Sequence, residues 1–94
     1  MREGLHEPVS VLSGYSEKHK EFKPLLVTWH GIDYRLGKVD FYHTTKKGVT
    51  TLHHFSLADK DENVYFKLMF NASNLHWTLE EYMMAGDSTV HYSI

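Results

Sequence analysis

Histidine sets the chemistry open to this chain. Its 94 residues include eight histidines, 12 aspartates and glutamates and no cysteine. Disulfides, thiol nucleophiles and thiolate metal sites are excluded, and any metal would rest on imidazole and carboxylate. Four side chains fall into a row if neighbouring strands pair as their apolar residues suggest: Asp40 opposite His54, His54 beside Met69, and Met69 opposite His76. His54 and His76 are then the candidate metal ligands. They stand two strands apart, and at about 4.8 Å per strand both rings would have to lean towards one ion. The simpler reading is an Asp40–His54 cross-strand pair on a solvated face, contributing about 0.2 to 1 kcal/mol.

Tyr42, Tyr65 and Lys67 share that face in the same register, and two tyrosines beside a lysine are the minimum for stacking and charging a single-stranded nucleic acid. Lys46 and Lys47 could add phosphate contacts, but the formal charge is −2 with a sequence pI near 6.4. Such a balance lacks the basic excess that drives phosphate binding, so nucleic acid is not the expected partner. The acidic turn Asp59–Asn63 has Val64 where a calcium loop needs glycine at position six, and Phe70 where it needs glutamate at position twelve. Phosphate-loop, nucleophile-elbow and His-Glu-x-x-His patterns are lacking, so the expected function is non-catalytic and without a cofactor.

These residues must be positioned by strands. Leu25, Val27 and Trp29 alternate with Leu26, Thr28 and His30, the period of a strand with one buried face. A His30-Gly31 turn would set Trp29 against Ile32, Val27 against Tyr34 and Leu25 against Leu36. The apolar phase then slips from even to odd numbers, which a β-bulge at Gly37 would repair. A three-residue turn at Lys46-Lys47-Gly48 would pair Val39 with Phe55 and Phe41 with His53, leaving His43 and His53 at the edge of the interior. Val64, Phe66, Leu68 and Phe70 form the cleanest alternation. A turn at Asn71–Asn74 would then set Leu68 against Trp77 and Phe66 against Leu79. Trp29 and Trp77 are expected in the core.

Elsewhere the pattern weakens. Pro8 to Leu12 reads as a further strand, 13–24 as a charged loop, Glu80 to Met84 as a short helix, and 85–94 as a frayed tail or edge strand. With 41% hydrophobic and 14% aromatic residues the chain can build one core. The expectation is a single small β domain over 1–94, mostly β, an antiparallel meander of five or six strands curled into a small barrel. No stretch approaches the length of a membrane span or has the apolar core of a secretory signal, so a cytoplasmic, non-membrane setting is expected.

The run Pro24-Leu25-Leu26-Val27-Thr28-Trp29-His30-Gly31-Ile32-Asp33-Tyr34-Arg35, with Tyr65-Phe66-Lys67-Leu68 and Leu75-His76-Trp77-Thr78-Leu79 downstream, resembles a group of small uncharacterised bacterial β domains. Those domains carry a Trp-x-Gly-x-x-Tyr hairpin near the start and a Trp-x-Leu strand near the end. The resemblance spans about residues 24 to 80, implies a β fold in a bacterial protein and transfers no catalytic residue. The expected function is an interaction module binding another protein, with homodimerisation through edge strands as a further possibility. The alternatives are a small-ligand or metal binder using surface histidines, or a weak single-stranded nucleic-acid binder.

Overall fold

In a computed structural model of the chain, residues 7–85 are described, together with the strand backbone of 91–92. Every regular element among them is a strand: β1 (Glu7–Pro8), β2 (Ser10–Ser16), β3 (Glu21–Trp29), β4 (Ile32–Lys47), β5 (Thr50–Asp59), β6 (Val64–Asn71), β7 (His76–Met84) and β8 (His91–Tyr92). They form one antiparallel sheet in the order β1-β7-β6-β5-β4-β3-β2, with β8 pairing β7. The sheet curls, as a one-sided apolar sheet without a covering helix must. Only Val9 separates β1 from β2, so the N-terminal segment pairs one edge through β7 and the other through β3.

The His30-Gly31 hairpin follows the sequence expectation for its first two apolar pairs, but the expected Leu25–Leu36 pair is not formed, because the ladder ends at Leu26–Arg35 and Leu36 pairs Asp59 of β5 instead. Both residues have positive φ, 52° and 76°, and Trp29 pairs Ile32 while Val27 pairs Tyr34. Two residues with φ above zero make the turn whose twist matches its strands, and glycine takes the second position without strain. The bulge expected at Gly37 is also present, lying between the Leu36 and Val39 pairs.

Residues 13–24 are not a loop. They supply the end of β2, a turn at 17–20, and the start of β3, with Ser16 paired to Glu21. The polar side chains of this hairpin stay outside while Phe22 and Pro24 turn inward. Glu80–Met84 is not helical but the second half of β7. A register shift between Lys67 and Leu68 makes Glu80 the extra residue opposite β6, and that bulge breaks the period-two pattern. These segments lengthen β2, β3 and β7; among the described residues the strands number eight rather than the expected five or six, because Val9 divides β1 from β2 and His91–Tyr92 adds β8. Of the 85–94 segment, His91–Tyr92 form an edge strand on β7, and 86–90 and 93–94 lie outside the described residues.

Two registers differ from expectation. In β4–β5 the loop is Gly48-Val49 and a second bulge lies between Val39 and Phe41, so Val39 pairs Leu57, Tyr42 pairs Phe55 and His43 pairs His54. That offset reverses the faces: Phe41 points outward and is 59% exposed. In β6–β7 the turn occupies 72–75, so Leu68 pairs Leu79 and Phe70 pairs Trp77, a shift of two that keeps the faces.

The core has two aromatic clusters. Trp29, Tyr34, Phe66 and Tyr82 pack at one end, with Trp29–Tyr82 centroids 4.5 Å apart. Phe22, Phe55, Phe70 and Trp77 pack at the other. Val27, Leu57, Leu68 and Leu79, each at most 1% exposed, complete the interior. Both tryptophans are core residues, as their alternation predicts.

Candidate functional site

Between β3 and β4 the curled sheet opens. The two strands pair only from Leu26–Trp29 to Ile32–Arg35. Beyond Arg35, β4 turns to β5: Lys60 N donates to Arg35 O at 2.8 Å and Leu36 pairs Asp59. Among the described residues, 21–25 of β3 keep only β2 as a ladder partner, and 37–47 of β4 keep only β5. Pro24 fits this arrangement, since a residue without an N–H is tolerated on a strand edge or beside a bulge, and the β2–β3 register shifts next to it.

A cleft of about 320 Å³ lies where the strands part, lined by Tyr15, Lys20, Glu21, Phe22, Val39, Tyr42, His53 and Phe55. Phe55 forms the floor at 2% exposure, while Tyr15 and Tyr42 stand on the rim, 63% and 48% exposed. Tyr42 is held in place: its hydroxyl lies 2.7 Å from His53 Nδ1, and its ring is 5.0 Å from that of Phe55. The cleft therefore combines a rigid aromatic wall, one polar pair and two unpartnered strand edges, and it suits an extended chain with apolar side chains at alternate positions.

A second cluster lies on the outer face of β4, β5 and β7. His54, 8% exposed, has Nδ1 3.1 Å from Glu80 Oε1 and Nε2 2.8 Å from Thr45 Oγ1. Carboxylate acceptance at Nδ1 fixes the tautomer, with Nδ1–H donating to Glu80 and Nε2 accepting from the Thr45 hydroxyl. This is the donor order of a nucleophile–base–acid triad. Thr45, however, stands exposed on an open strand, and none of these three residues lines a described pocket. The relay's evident work is to tie three strands together. His43 stacks on His54, rings 4.5 Å apart and 6° from parallel, and its Nδ1 is buried without a hydrogen-bond partner. An orphaned buried polar atom costs about 1 to 3 kcal/mol. His43→Phe, which keeps the stacked ring and removes that atom, should therefore leave the protein at least as stable, with urea unfolding as the check. A loss above about 1 kcal/mol would show that the imidazole has a partner.

The residues singled out from sequence are divided by these registers. His54 does lie opposite Met69, but Asp40 sits at the second bulge and is not opposite His54. Met69 pairs Thr78, and His76 pairs Asn71 at the rim of a different recess beside Pro8–Val11. His54 and His76 are thus not brought together as ligands. Among the described residues no group of three or more His, Asp or Glu side chains is placed to hold a metal. Tyr42 pairs core Phe55 and faces the cleft, whereas Tyr65 alternates with core Val64 and Phe66 and faces outward, so the shared stacking platform is lost. His53 is at the edge of the interior as expected, but His43 is not. Asp40, Tyr65 and Lys67 do share a shallow outer depression with Glu81 and Met83.

Sequence reasoning missed Tyr15 and Phe22, which fall in the segment read as a loop, and Glu80, which falls in the segment read as a helix. An available signal was the inward alternation of Phe22 with Pro24. Asp59 is occupied structurally, its Oδ1 accepting from Asn63 N at 2.7 Å and Val64 N at 3.1 Å. No protein-family model, curated protein or solved structure matches the chain.

Proposed function

We propose that this chain is a protein-binding module that accepts an extended segment of its partner in the groove between β3 and β4. The observation supporting this reading is the parting of those strands, which leaves two edges unpaired among the described residues, on either side of an aromatic cleft. Edge backbone groups supply hydrogen bonds to an added strand, and pockets for alternate side chains supply selectivity. Tyr15 and Tyr42 suit the task because tyrosine offers a large contact area and a polar tip at low conformational cost.

Selection of ten-residue peptides from a randomised display library tests this proposal. Peptides that bind should shift the amide resonances of residues 21–25 and 37–45. Tyr15→Ala and Tyr42→Ala should each weaken binding about tenfold or more, as truncation of an aromatic anchor does. Both side chains are substantially exposed, so the melting temperature should move by no more than a few degrees. Shifts confined to other strands would overturn the groove reading. So would a dimer that forms with rising concentration through this groove and dissociates in Tyr42→Ala, since the occupant would then be a second copy.

A further inference from the structure

Charge is unevenly divided along the chain. The segments that border the groove, 17–23 and 37–47, carry six lysines, Lys18, Lys20, Lys23, Lys38, Lys46 and Lys47, against three carboxylates, Glu17, Glu21 and Asp40. The remainder of the chain carries four basic residues against nine acidic ones. The groove borders are therefore formally +3 in a chain of net charge −2. Within that set Glu17 and Lys20 are paired with each other, Lys20 and Glu21 both line the cleft, and Lys46 Nζ donates to Thr51 Oγ1.

We infer that the groove takes an acidic strand: an extended peptide with apolar side chains at alternate positions and glutamate or aspartate between them. This rests on the groove reading above and names the chemistry of its occupant. A strand laid along β4 from Val39 rises about 3.4 Å per residue and runs past Lys46 and Lys47 within eight residues. Its apolar side chains enter between Tyr15, Phe22 and Tyr42, and its carboxylates meet the lysines at the two borders. Five of the six lysines are exposed and Lys23 is half-buried, so they steer and select more than they tighten, and their effect fades as salt rises. Elsewhere on the molecule Asp61, Glu62 and Glu81 repel the same peptide, which favours this face.

Three blocked peptides test the inference, each alternating valine with a variable residue around a central phenylalanine, the variable residue being glutamate, lysine or serine. Titration at low salt should give the order glutamate, serine, lysine, with about tenfold or more between the first and last. That ratio should shrink towards unity at high salt, and in the surface variant carrying Lys20→Glu, Lys46→Glu and Lys47→Glu it should shrink or reverse. If all three peptides bind in the groove with equal affinity, or the lysine peptide binds best, the acidic-partner inference fails while the groove reading stands. If none of the three shifts the amides of 21–25 and 37–45, both fail.

Discussion

Phe55→Ala should cost about 3 to 5 kcal/mol, the range for deleting a buried aromatic ring, whereas Phe41→Ala should cost less than about 1. Phe55 is 2% exposed and packs its ring against Phe22, Tyr42 and Trp77. Its removal leaves a void among side chains that are anchored on three other strands and cannot collapse to fill it. A chain of this size has about 5 to 14 kcal/mol of total stability. The Phe55 variant would therefore lose a large fraction of it, with a melting temperature lowered by about 12 to 40 °C at 4 to 8 °C per kcal/mol. Phe41, at 59% exposed, has its best-defined ring neighbour in His43 on the same outer face. Comparing the two by denaturant unfolding decides the β4–β5 register, because the simpler pairing of Phe41 with His53 puts both rings inside. Comparable losses would refute the observed faces.

Some parts of this fold are written locally and others are not. The His30-Gly31 hairpin is readable because two adjacent residues specify both the turn and the register. β6 is readable because four core residues alternate without a break. The β6–β7 register is two residues off because the turn chemistry lies in side chains: Asn71 Oδ1 accepts from Ser73 N and Asn74 N, and Leu75 adopts φ 64°. Those bonds place the turn at 72–75, and an even shift leaves every core residue inside. β4 is harder, since it carries two bulges and only the first has a glycine to mark it. An unmarked bulge at Asp40 shifts the phase without altering the composition.

The candidate site was far less legible than the core. Of its inner wall, His53 is in phase with core Phe55 and is readable from the alternation, whereas Tyr42 joins that face only once the second bulge of β4 is placed. Its other wall, Tyr15, Lys20, Glu21 and Phe22, lies in a hairpin whose charged outer face hides the strands. What makes a groove is that β4 leaves β3 for β5 after Arg35, and a change of partner depends on how the whole sheet curls. The N-terminal segment contributes to that curl. Glu7 Oε2 accepts from Trp29 Nε1 at 3.0 Å and lies 3.1 Å from His30 Nε2, fastening β1 to the β3–β4 hairpin across the sheet. The charge division was present in sequence throughout, but its meaning depends on which strands border the opening.

The histidine read from sequence as a metal ligand is instead the centre of the second large expected effect. His54→Ala should cost about 3 to 5 kcal/mol, because it leaves the Glu80 carboxylate, only 16% exposed, without its imidazole partner, and also removes the acceptor for Thr45. The cost comes mainly from the stranded carboxylate, so it should depend on what stands at position 80. Glu80→Gln keeps a carbonyl to accept the Nδ1–H and should cost about 1 kcal/mol. Joined to His54→Met, Glu80→Leu fills similar volume and removes both polar groups, and the double variant should recover most of the loss. The relevant measurement is the coupling in a double-mutant cycle read by urea unfolding, and residues in one buried network should show about 1 to 3 kcal/mol. Additive losses would mean that His54 and Glu80 are independent surface groups. Strong coupling, with peptide binding in the β3–β4 groove unchanged, would assign the outer-face network to holding β4, β5 and β7 in register, so that the groove opens against a rigid wall.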